Sequence, residues 1–270
     1  MFPFLAVSTN TYHGFSLLEA LSGISRAGFK FVELACVKGW TYHFDLESYS
    51  ESEFRNLQKT LDSFGLQVVS LSAHSDLASS DGVAYLQKAL RFAQSIGAKV
   101  VNTGTIEEEK DKEVFLHNIQ RLSRDAEATG VKIGLEIHGN FLKNGEVAQK
   151  VVSEIRSPFV GINYDTGNAI FYGNVRPEED IISCLPWVVH IHLKDKRGGY
   201  KVWDFPALGK GEVDFGKILG LLPPEKRSIP ISVEIEFDGK FDHTKDFVDQ
   251  AVQESFAYLA QLQKSLGNSQ

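Results

Sequence analysis

The chain has 270 residues, of which 43% are hydrophobic and 23% are charged, and its formal net charge at pH 7 is −7. This is the composition of an ordinary globular protein, and no stretch is dense enough in Lys and Arg to indicate a nucleic-acid partner. The start of the chain lacks the basic segment of a signal peptide, and no apolar stretch approaches the roughly 20 residues of a membrane span.

Hydrophobic periodicity alternates between two types along the whole sequence. Short, uniformly apolar runs predict buried strands, and longer segments with apolar residues at helical spacing predict amphipathic helices. The predicted strands are 4–10, 29–35, 67–73, 99–102, 132–137, 160–165, 188–193 and 231–235. The predicted helices, each of which follows the corresponding strand, are 17–27, 51–64, 83–96, 113–129, 146–155, 178–185, 215–222 and 245–266. Gly follows each of the first four helices, as expected where a helix ends in a left-handed residue.

This alternation predicts an α/β fold, namely a single (β/α)₈ TIM barrel whose one domain spans residues 1–270. Such a barrel typically takes about 250 residues. The rival architecture, an open doubly wound sheet, would need a glycine-rich phosphate turn after the first strand. The segment from Ser8 to His13 contains no glycine, which favours the barrel.

Polar side chains lie at the ends of the last four predicted strands. They are Glu136, Asp165, His192 and Glu234. Because the carboxyl ends of barrel strands converge on one mouth, we expect these side chains to lie together. Three carboxylates and an imidazole would repel one another strongly unless a cation lay between them. The sequence therefore predicts one divalent ion, with Mn²⁺, Mg²⁺ or Co²⁺ favoured by oxygen-rich ligation and Zn²⁺ as a further option.

Each of these residues has a simpler interpretation when it is taken alone. Glu136 would be a solvated loop residue, and Asp165-Thr-Gly-Asn168 would be a turn. His190 and His192 alternate with apolar residues and therefore face the same side of their strand. The deeper His190 would be either a substrate contact or a hydrogen-bonded interior side chain. The joint appearance of polar residues on four successive strands argues against four separate accidents.

The chain resembles the xylose isomerase-like barrels over nearly its entire length. The resemblance is carried by His190-Ile-His192-Leu-Lys-Asp195, Leu208-Gly-Lys-Gly211-Glu-Val-Asp-Phe215 and Ile229-Pro-Ile-Ser-Val-Glu234. This family includes sugar isomerases, ketose 3-epimerases, inosose-processing enzymes, 3-dehydroshikimate dehydratases and apurinic-site endonucleases. The resemblance implies the barrel fold and a bound metal, because the family's ligands from strands five to eight fall here on Glu136, Asp165, His192 and Glu234.

Departures from particular members of the family reduce the number of reactions that the resemblance implies. The endonucleases use further histidines to hold two additional zinc ions. This chain keeps His74, but strand four ends in Asn102-Thr103-Gly104 without the family's histidine, which argues against DNA repair. The ketose 3-epimerases carry a substrate-binding His where this chain has Asn168, and an Arg where it has Gly198. Glu136-Ile-His138 resembles the Glu-x-His of the dehydroshikimate dehydratases, in which the histidine is the catalytic base.

We therefore expect a metal-dependent sugar or polyol isomerase or epimerase of carbohydrate metabolism. Glu136 and Glu234 would transfer a proton next to a carbonyl by way of an enediolate. The alternative is a lyase of the dehydratase kind with His138 as its base, although His138 taken alone is equally a loop histidine. A barrel that binds a metal or a sugar without turnover would be expected to lack a ligand or a base, and neither is missing here.

Six residues near the predicted mouth are candidate substrate contacts. They are His74, Asn168, His190, Lys194, Trp40 and Trp203. The absence of a glycine-rich phosphate cradle favours an unphosphorylated sugar, polyol or keto-acid, whereas Lys194, Lys196 and Lys210 leave a phosphorylated one open. Cys36 and Cys184 lie far apart in the sequence, which favours reduced thiols and a cytoplasmic location. Neither a nucleic acid nor a membrane is expected as a partner, and homo-oligomerisation stays open.

Overall fold

The computed structural model describes residues 2–240 and 242–268, and in it eight parallel strands close into a barrel. The strands pair in chain order, and the register of Leu5 with Ile231 closes β1 against β8. Their bounds are β1 Leu5–Ser8, β2 Phe31–Ala35, β3 Gln67–Ser72, β4 Val100–Thr103, β5 Lys132–Glu136, β6 Val160–Asp165, β7 Val188–Leu193 and β8 Ile231–Val233. The predicted TIM barrel is confirmed. That one domain spans residues 1–270 stays a prediction.

Helices cover the outside of the barrel. Their bounds are α1 Leu17–Ala27, α2 Glu51–Phe64, α3 Ser80–Ile96, α4 Lys112–Thr129, α5 Gly145–Ile155, α6 Thr166–Gly173, α7 Pro177–Cys184, α8 Phe215–Gly220 and α9 Lys245–Asn268. All of these helices except α6 overlap a predicted one, and α1 and α2 have the predicted bounds. Among the described residues, no helix combines the length and the apolar character needed to cross a membrane.

The helix ends follow from local sequence. The hydroxyls of Ser16 and Ser50 each accept a hydrogen bond from the backbone N–H of the Glu three residues later, and the carboxylate of that Glu accepts one from the serine N–H. These reciprocal bonds satisfy two of the N–H groups that the first turn of a helix leaves without partners. The glycines predicted to end the first four helices all have left-handed backbone angles, namely Gly28, Gly65, Gly97 and Gly130.

The first and last strands are shorter than their apolar runs predict. β1 ends at Ser8, whose hydroxyl accepts a hydrogen bond from the Asn10 N–H and starts a turn of 3₁₀-helix. β8 ends at Val233 because the Ile235 N–H is bound by the Thr11 hydroxyl, at 3.0 Å, rather than by a neighbouring strand. These two irregular segments meet at the mouth, so that Asn10 lies beside the residues that follow β8.

A hydrogen-bonded cluster joins the first helix to the last on the outside of the barrel. The Tyr12 hydroxyl donates to Asp249 Oδ1 at 2.9 Å, and Lys245 Nζ lies 2.6 Å from Asp249 Oδ2. Arg26 of α1 also binds this carboxylate. Burial raises the pKa of the Tyr12 hydroxyl, so it acts as a neutral donor. The cluster fixes the turn that carries Asn10.

The inside of the barrel holds a layer of polar side chains beneath the mouth. All of them are fully buried, namely Glu33, Ser70, Asn102, Asn163, His190 and Ser232. TIM barrels are mostly filled by branched apolar side chains, and a buried polar group is tolerated when it is hydrogen-bonded. This layer therefore forms a polar floor beneath the ends of the strands.

Candidate metal centre

The four side chains singled out at the strand ends lie together at the mouth of the barrel. Each offers a ligand atom, and these atoms all lie within 4.8 Å of one another. His192 Nδ1 is 3.3 Å from Glu136 Oε2, 3.6 Å from Asp165 Oδ2 and 3.6 Å from Glu234 Oε2. All four residues are buried. Three carboxylate donors and one imidazole donor suit a hard divalent cation, so the residues present fit the expected ion.

The charges within this cluster compensate one another. Burial opposes protonation of His192, but the carboxylates of Glu33, Glu234 and Glu136 hold the pKa of this histidine well above its ordinary range. Burial likewise opposes ionisation of Glu136, yet His74 and His192 hold the pKa of its carboxyl well below the usual value. The cluster is therefore built around ionised carboxylates that need nearby positive charge.

Lys194 supplies part of that charge. Its Nζ lies 2.9 Å from Glu234 Oε2, 2.8 Å from Glu236 Oε2 and 3.5 Å from Asp165 Oδ2. Although burial opposes protonation, the carboxylates of Asp165, Glu234 and Glu236 hold the pKa of Lys194 well above its ordinary range. The lysine predicted as a substrate contact is thus also an internal counter-ion for the carboxylates.

The segment Asp165-Thr-Gly-Asn168 holds Lys194 in place. Asp165 caps α6, because its Oδ1 accepts from the Asn168 N–H at 2.8 Å while Oδ2 faces the cluster. The Thr166 hydroxyl donates to the Lys194 carbonyl and accepts from the Lys194 N–H. A Cβ on Gly167 would lie 2.9 Å from Cγ of Lys194, so only glycine lets the lysine stem pass this closely. The predicted turn is therefore the first turn of α6.

Three polar side chains orient Glu136. Its Oε2 accepts from Asn163 Nδ2 at 2.9 Å and lies 3.1 Å from His74 Nε2, while Asn168 Nδ2 lies 3.3 Å from Oε1. Asn168 also donates to the carbonyl of Ile137. The asparagine that stands where the epimerases carry a histidine is thus tied to a ligand carboxylate and to the backbone.

At the end of β8, Asn10 and Lys194 together bridge two glutamates. Asn10 Nδ2 donates to Glu234 Oε1 at 3.1 Å and to Glu236 Oε1 at 3.2 Å, and Lys194 contacts the remaining oxygen of each. Burial raises the pKa of the Glu236 carboxyl, against the influence of Lys194. Neither Asn10 nor Glu236 is among the sequence-predicted site residues.

A cavity of about 270 Å³ opens above the cluster. Its lining includes the predicted residues Glu136, His138, Asn168, Lys194, Glu234, His74, Trp40 and Trp203, together with Asn10, Tyr172 and Glu236. Burial lowers the pKa of His138, whose Nε2 lies 3.1 Å from the Tyr172 hydroxyl. Tyr172 lies on α6, the helix that was not predicted, so no sequence signal identified it.

His190 lies in the polar floor rather than on the cavity wall. Its Nδ1 is 2.8 Å from Asn163 Oδ1, and its Nε2 lies 3.1 Å from the hydroxyls of Ser70 and Ser232. Of the two interpretations of this residue, the structure favours the hydrogen-bonded interior side chain.

The motif that follows β7 builds a loop. The carboxylate of Asp195 accepts hydrogen bonds from the backbone N–H groups of Lys196, Gly209, Gly211 and Val213. A Cβ on Gly211 would lie 2.2 Å from Asp195 Oδ1, which explains the glycine at that position. These four backbone N–H groups are thus used by an internal carboxylate.

Comparison with known proteins places the chain in a family. The model for the xylose isomerase-like TIM barrel matches residues 21–262. L-ribulose-5-phosphate 3-epimerase UlaE from Escherichia coli is 24% identical over 235 residues, which cover 81% of this chain and 81% of the relative.

Solved structures share the fold at low identity. A xylose isomerase-like barrel protein from Mycobacterium smegmatis in complex with magnesium has a TM-score of 0.80 at 17% identity, with 97% of each chain covered. D-allulose 3-epimerase from Methylomonas sp. has a TM-score of 0.73 at 19% identity, covering 96% of this chain and 97% of that one. The probable 3-DHS dehydratase AsbF from Bacillus anthracis has a TM-score of 0.72 at 15% identity, covering 93% and 97%. Because the family model spans most of its length, this chain belongs to the xylose isomerase-like TIM barrel family.

Proposed function

We propose that this protein is a divalent-metal-dependent epimerase or isomerase of an unphosphorylated ketose or of a polyol that carries a carbonyl group. The observation that carries the proposal is the pairing of Glu136 and Glu234, which come from β5 and from the end of β8. Both carboxylates line the cavity and both belong to the four-residue cluster. Curated relatives that are L-ribulose-5-phosphate 3-epimerases support this class of reaction.

Glu136, Asp165, His192 and Glu234 would hold the ion. When bound, a divalent cation would polarise a substrate carbonyl and stabilise the negative charge left when the neighbouring C–H loses its proton. The mainly oxygen donor set favours Mn²⁺, Mg²⁺ or Co²⁺ over a thiolate-type zinc site.

The two glutamates would move the proton. Both are ionised near neutral pH, because His74 and His192 lower the pKa of Glu136, and Lys194 and His192 lower that of Glu234, against the effect of burial. An ionised carboxylate beside the substrate can accept a proton, and a second one on another side of the cavity allows its return to a different face or carbon.

The charges around the cavity favour a substrate without a phosphate group. Among the described residues that line it, Lys194 is the only lysine or arginine, and carboxylates surround its ammonium. Lys196 Nζ donates to the carbonyls of Arg197 and Gly198, and Lys210 pairs with Glu254. Each of the three lysines that left a phosphorylated substrate open therefore already has carboxylate or carbonyl partners, and a phosphate dianion would meet mainly negative charge in the cavity.

A lyase remains the second candidate, and the position of His138 favours it. The imidazole lines the cavity, and its lowered pKa keeps it neutral, as a base must be. Its contact with the Tyr172 hydroxyl, however, engages Nε2, one of the two ring nitrogens that could take a substrate proton.

Turnover in deuterated water separates the two candidates. The protein, loaded with Mn²⁺, is supplied with a panel of ketoses, inososes and keto-acids, and the products are followed by mass spectrometry and NMR. An epimerase or isomerase leaves solvent deuterium in the recovered sugar, whereas a lyase yields an unsaturated product. Deuterium incorporation that persists undiminished after Glu136→Gln and Glu234→Gln would contradict the proposal. Glu146→Gln, on the exposed face of α5, is the matched control.

A further inference from the structure

We propose that Glu33 is a positioning residue, whose carboxylate holds His192 with Nδ1 directed at the metal centre and thereby sets the affinity for the cation. Glu33 lies in the middle of β2 and is fully buried. It is absent from the predicted site residues, although a charged residue within the apolar run Phe31–Ala35 is itself unusual. The inference rests on the proposed metal site but not on the reaction carried out there.

The two oxygens of Glu33 have different partners. Oε1 lies 2.7 Å from His192 Nε2. Oε2 is surrounded by the polar floor, at 2.7 Å from Asn102 Nδ2, 2.9 Å from the Ser70 hydroxyl, 3.3 Å from the Ser232 hydroxyl and 3.0 Å from His190 Nε2. The contacts to Oε2 fix the rotation of the carboxylate, so that Oε1 is directed at His192.

This arrangement decides which ring nitrogen of His192 carries the proton. Oε1 of Glu33 lies within hydrogen-bond distance of His192 Nε2, at 2.7 Å. A carboxylate only accepts hydrogen bonds, so Nε2 of His192 carries the hydrogen of this contact. In the neutral ring the lone pair is then on Nδ1, which is the nitrogen that faces Glu136, Asp165 and Glu234. A histidine that binds a metal generally donates its other N–H in this way, which fixes the ring and raises its basicity.

The neutral variant Glu33→Gln exchanges the hydrogen-bond donor and acceptor at His192 Nε2 with little change in the shape of the side chain. The amide oxygen can accept from Asn102 and Ser70 only if the amide nitrogen takes the place of Oε1. That nitrogen would then donate to His192 Nε2, which would move the ring proton to Nδ1, where it competes with a cation. Loss of such a partner typically weakens metal binding by about 10–100-fold.

The test is a calorimetric titration of Mn²⁺ alone into protein stripped of metal by a chelator. We expect Glu33→Gln to weaken Mn²⁺ binding by about 10–100-fold relative to the unchanged protein. Ser70→Ala is the matched control, because it removes a contact to Oε2 and leaves Oε1 in place, and it should change the affinity by less than about threefold. Equal affinity of Glu33→Gln and the unchanged protein, or an equal loss in Ser70→Ala, would overturn the proposal.

A second measurement does not depend on metal. Nitrogen NMR of metal-free protein with isotopically labelled histidine, recorded in alkaline solution where the His192 ring is neutral, reports which of its ring nitrogens carries the hydrogen. We expect Nε2–H in the unchanged protein and in Ser70→Ala, and Nδ1–H in Glu33→Gln; an unchanged tautomer refutes the role. If Glu33→Gln fails to fold, Glu33→Asp keeps the charge but shortens the reach to His192, and it should lose Mn²⁺ affinity while Ser70→Ala does not. Tight Mn²⁺ binding without turnover would refute the proposed function and leave this inference standing.

Discussion

Replacing Lys194 with methionine should make the fold depend on divalent metal. The side chain of Lys194 is 3% exposed, and its ammonium contacts the carboxylates of Asp165, Glu234 and Glu236. Removing one partner of a buried ion pair costs about 3–5 kcal/mol, because the other charge is left uncompensated. At about 2–4 °C per kcal/mol for a protein of this size, Lys194→Met should lower the Tm of the metal-free protein by roughly 6–20 °C.

Mn²⁺ should restore much of that loss. A ligand that binds only the folded state adds about 2.7 kcal/mol at 100 times its Kd, and Lys194→Met removes a cation that competes for the same carboxylates. Thermal unfolding followed by circular dichroism with and without Mn²⁺ measures both effects. The matched control is Lys210→Met, since Lys210 pairs with Glu254 at a site where both side chains are exposed, and it should cost less than about 1 kcal/mol.

The contribution of Lys194 to the free energy of unfolding depends on pH in a predictable direction. Because the folded pKa of Lys194 is raised, its contribution is fully present below the unfolded pKa of about 10.4 and is lost as pH rises through the folded pKa. In Lys194→Met the uncompensated carboxylates become neutral as pH falls, so the deficit relative to the unchanged protein should shrink in acid. The reasoning fails if Lys194→Met is no less stable than Lys210→Met, or if Mn²⁺ shifts both variants equally.

Three further predictions concern the cavity and the hydrogen-bonded cluster around Asp249 on the outside of the barrel. Glu136→Gln and Glu234→Gln should each abolish turnover while leaving circular dichroism unchanged, since each removes a charge at the cavity rather than a core contact; near-normal activity in both would contradict their role. His138→Ala should mainly raise KM, whereas a fall in kcat of roughly 10²–10⁴-fold with an unsaturated product would establish the lyase instead. Tyr12→Phe should lower the free energy of unfolding by about 1–3 kcal/mol in urea titrations, because the buried Asp249 loses a donor; no change would show that the bond is immaterial.

The barrel and its four-residue cluster could be predicted because both depend on local patterns. Periodicity identifies the strands, and the position of a polar residue at a strand end is visible in any one segment. Glu136, Asp165, His192 and Glu234 needed only the further rule that parallel barrel strands end at a common mouth.

The remaining site residues depend on contacts between distant segments. Asn10 lies in a 3₁₀ turn that has no periodic signal, and its role follows from the early end of β8. Tyr172 lies on α6, whose first residues carry the composition of a turn. Lys194 was predicted only as a candidate substrate contact, because its role as a counter-ion depends on Gly167 and on carboxylates that the fold brings around it. Such pairings are set by tertiary structure, so a single sequence does not display them.

The carboxylate of Asp195 has a consequence for how related proteins are recognised. In the stretch His192-Leu-Lys-Asp195, the histidine belongs to the four-residue cluster and the lysine lines the cavity, whereas the aspartate anchors the turn at Gly209–Gly211 through backbone N–H groups. In this chain the aspartate therefore builds the loop, and its presence in the stretch indicates that loop rather than a particular reaction. Substrate assignment has to be made from the residues that line the cavity.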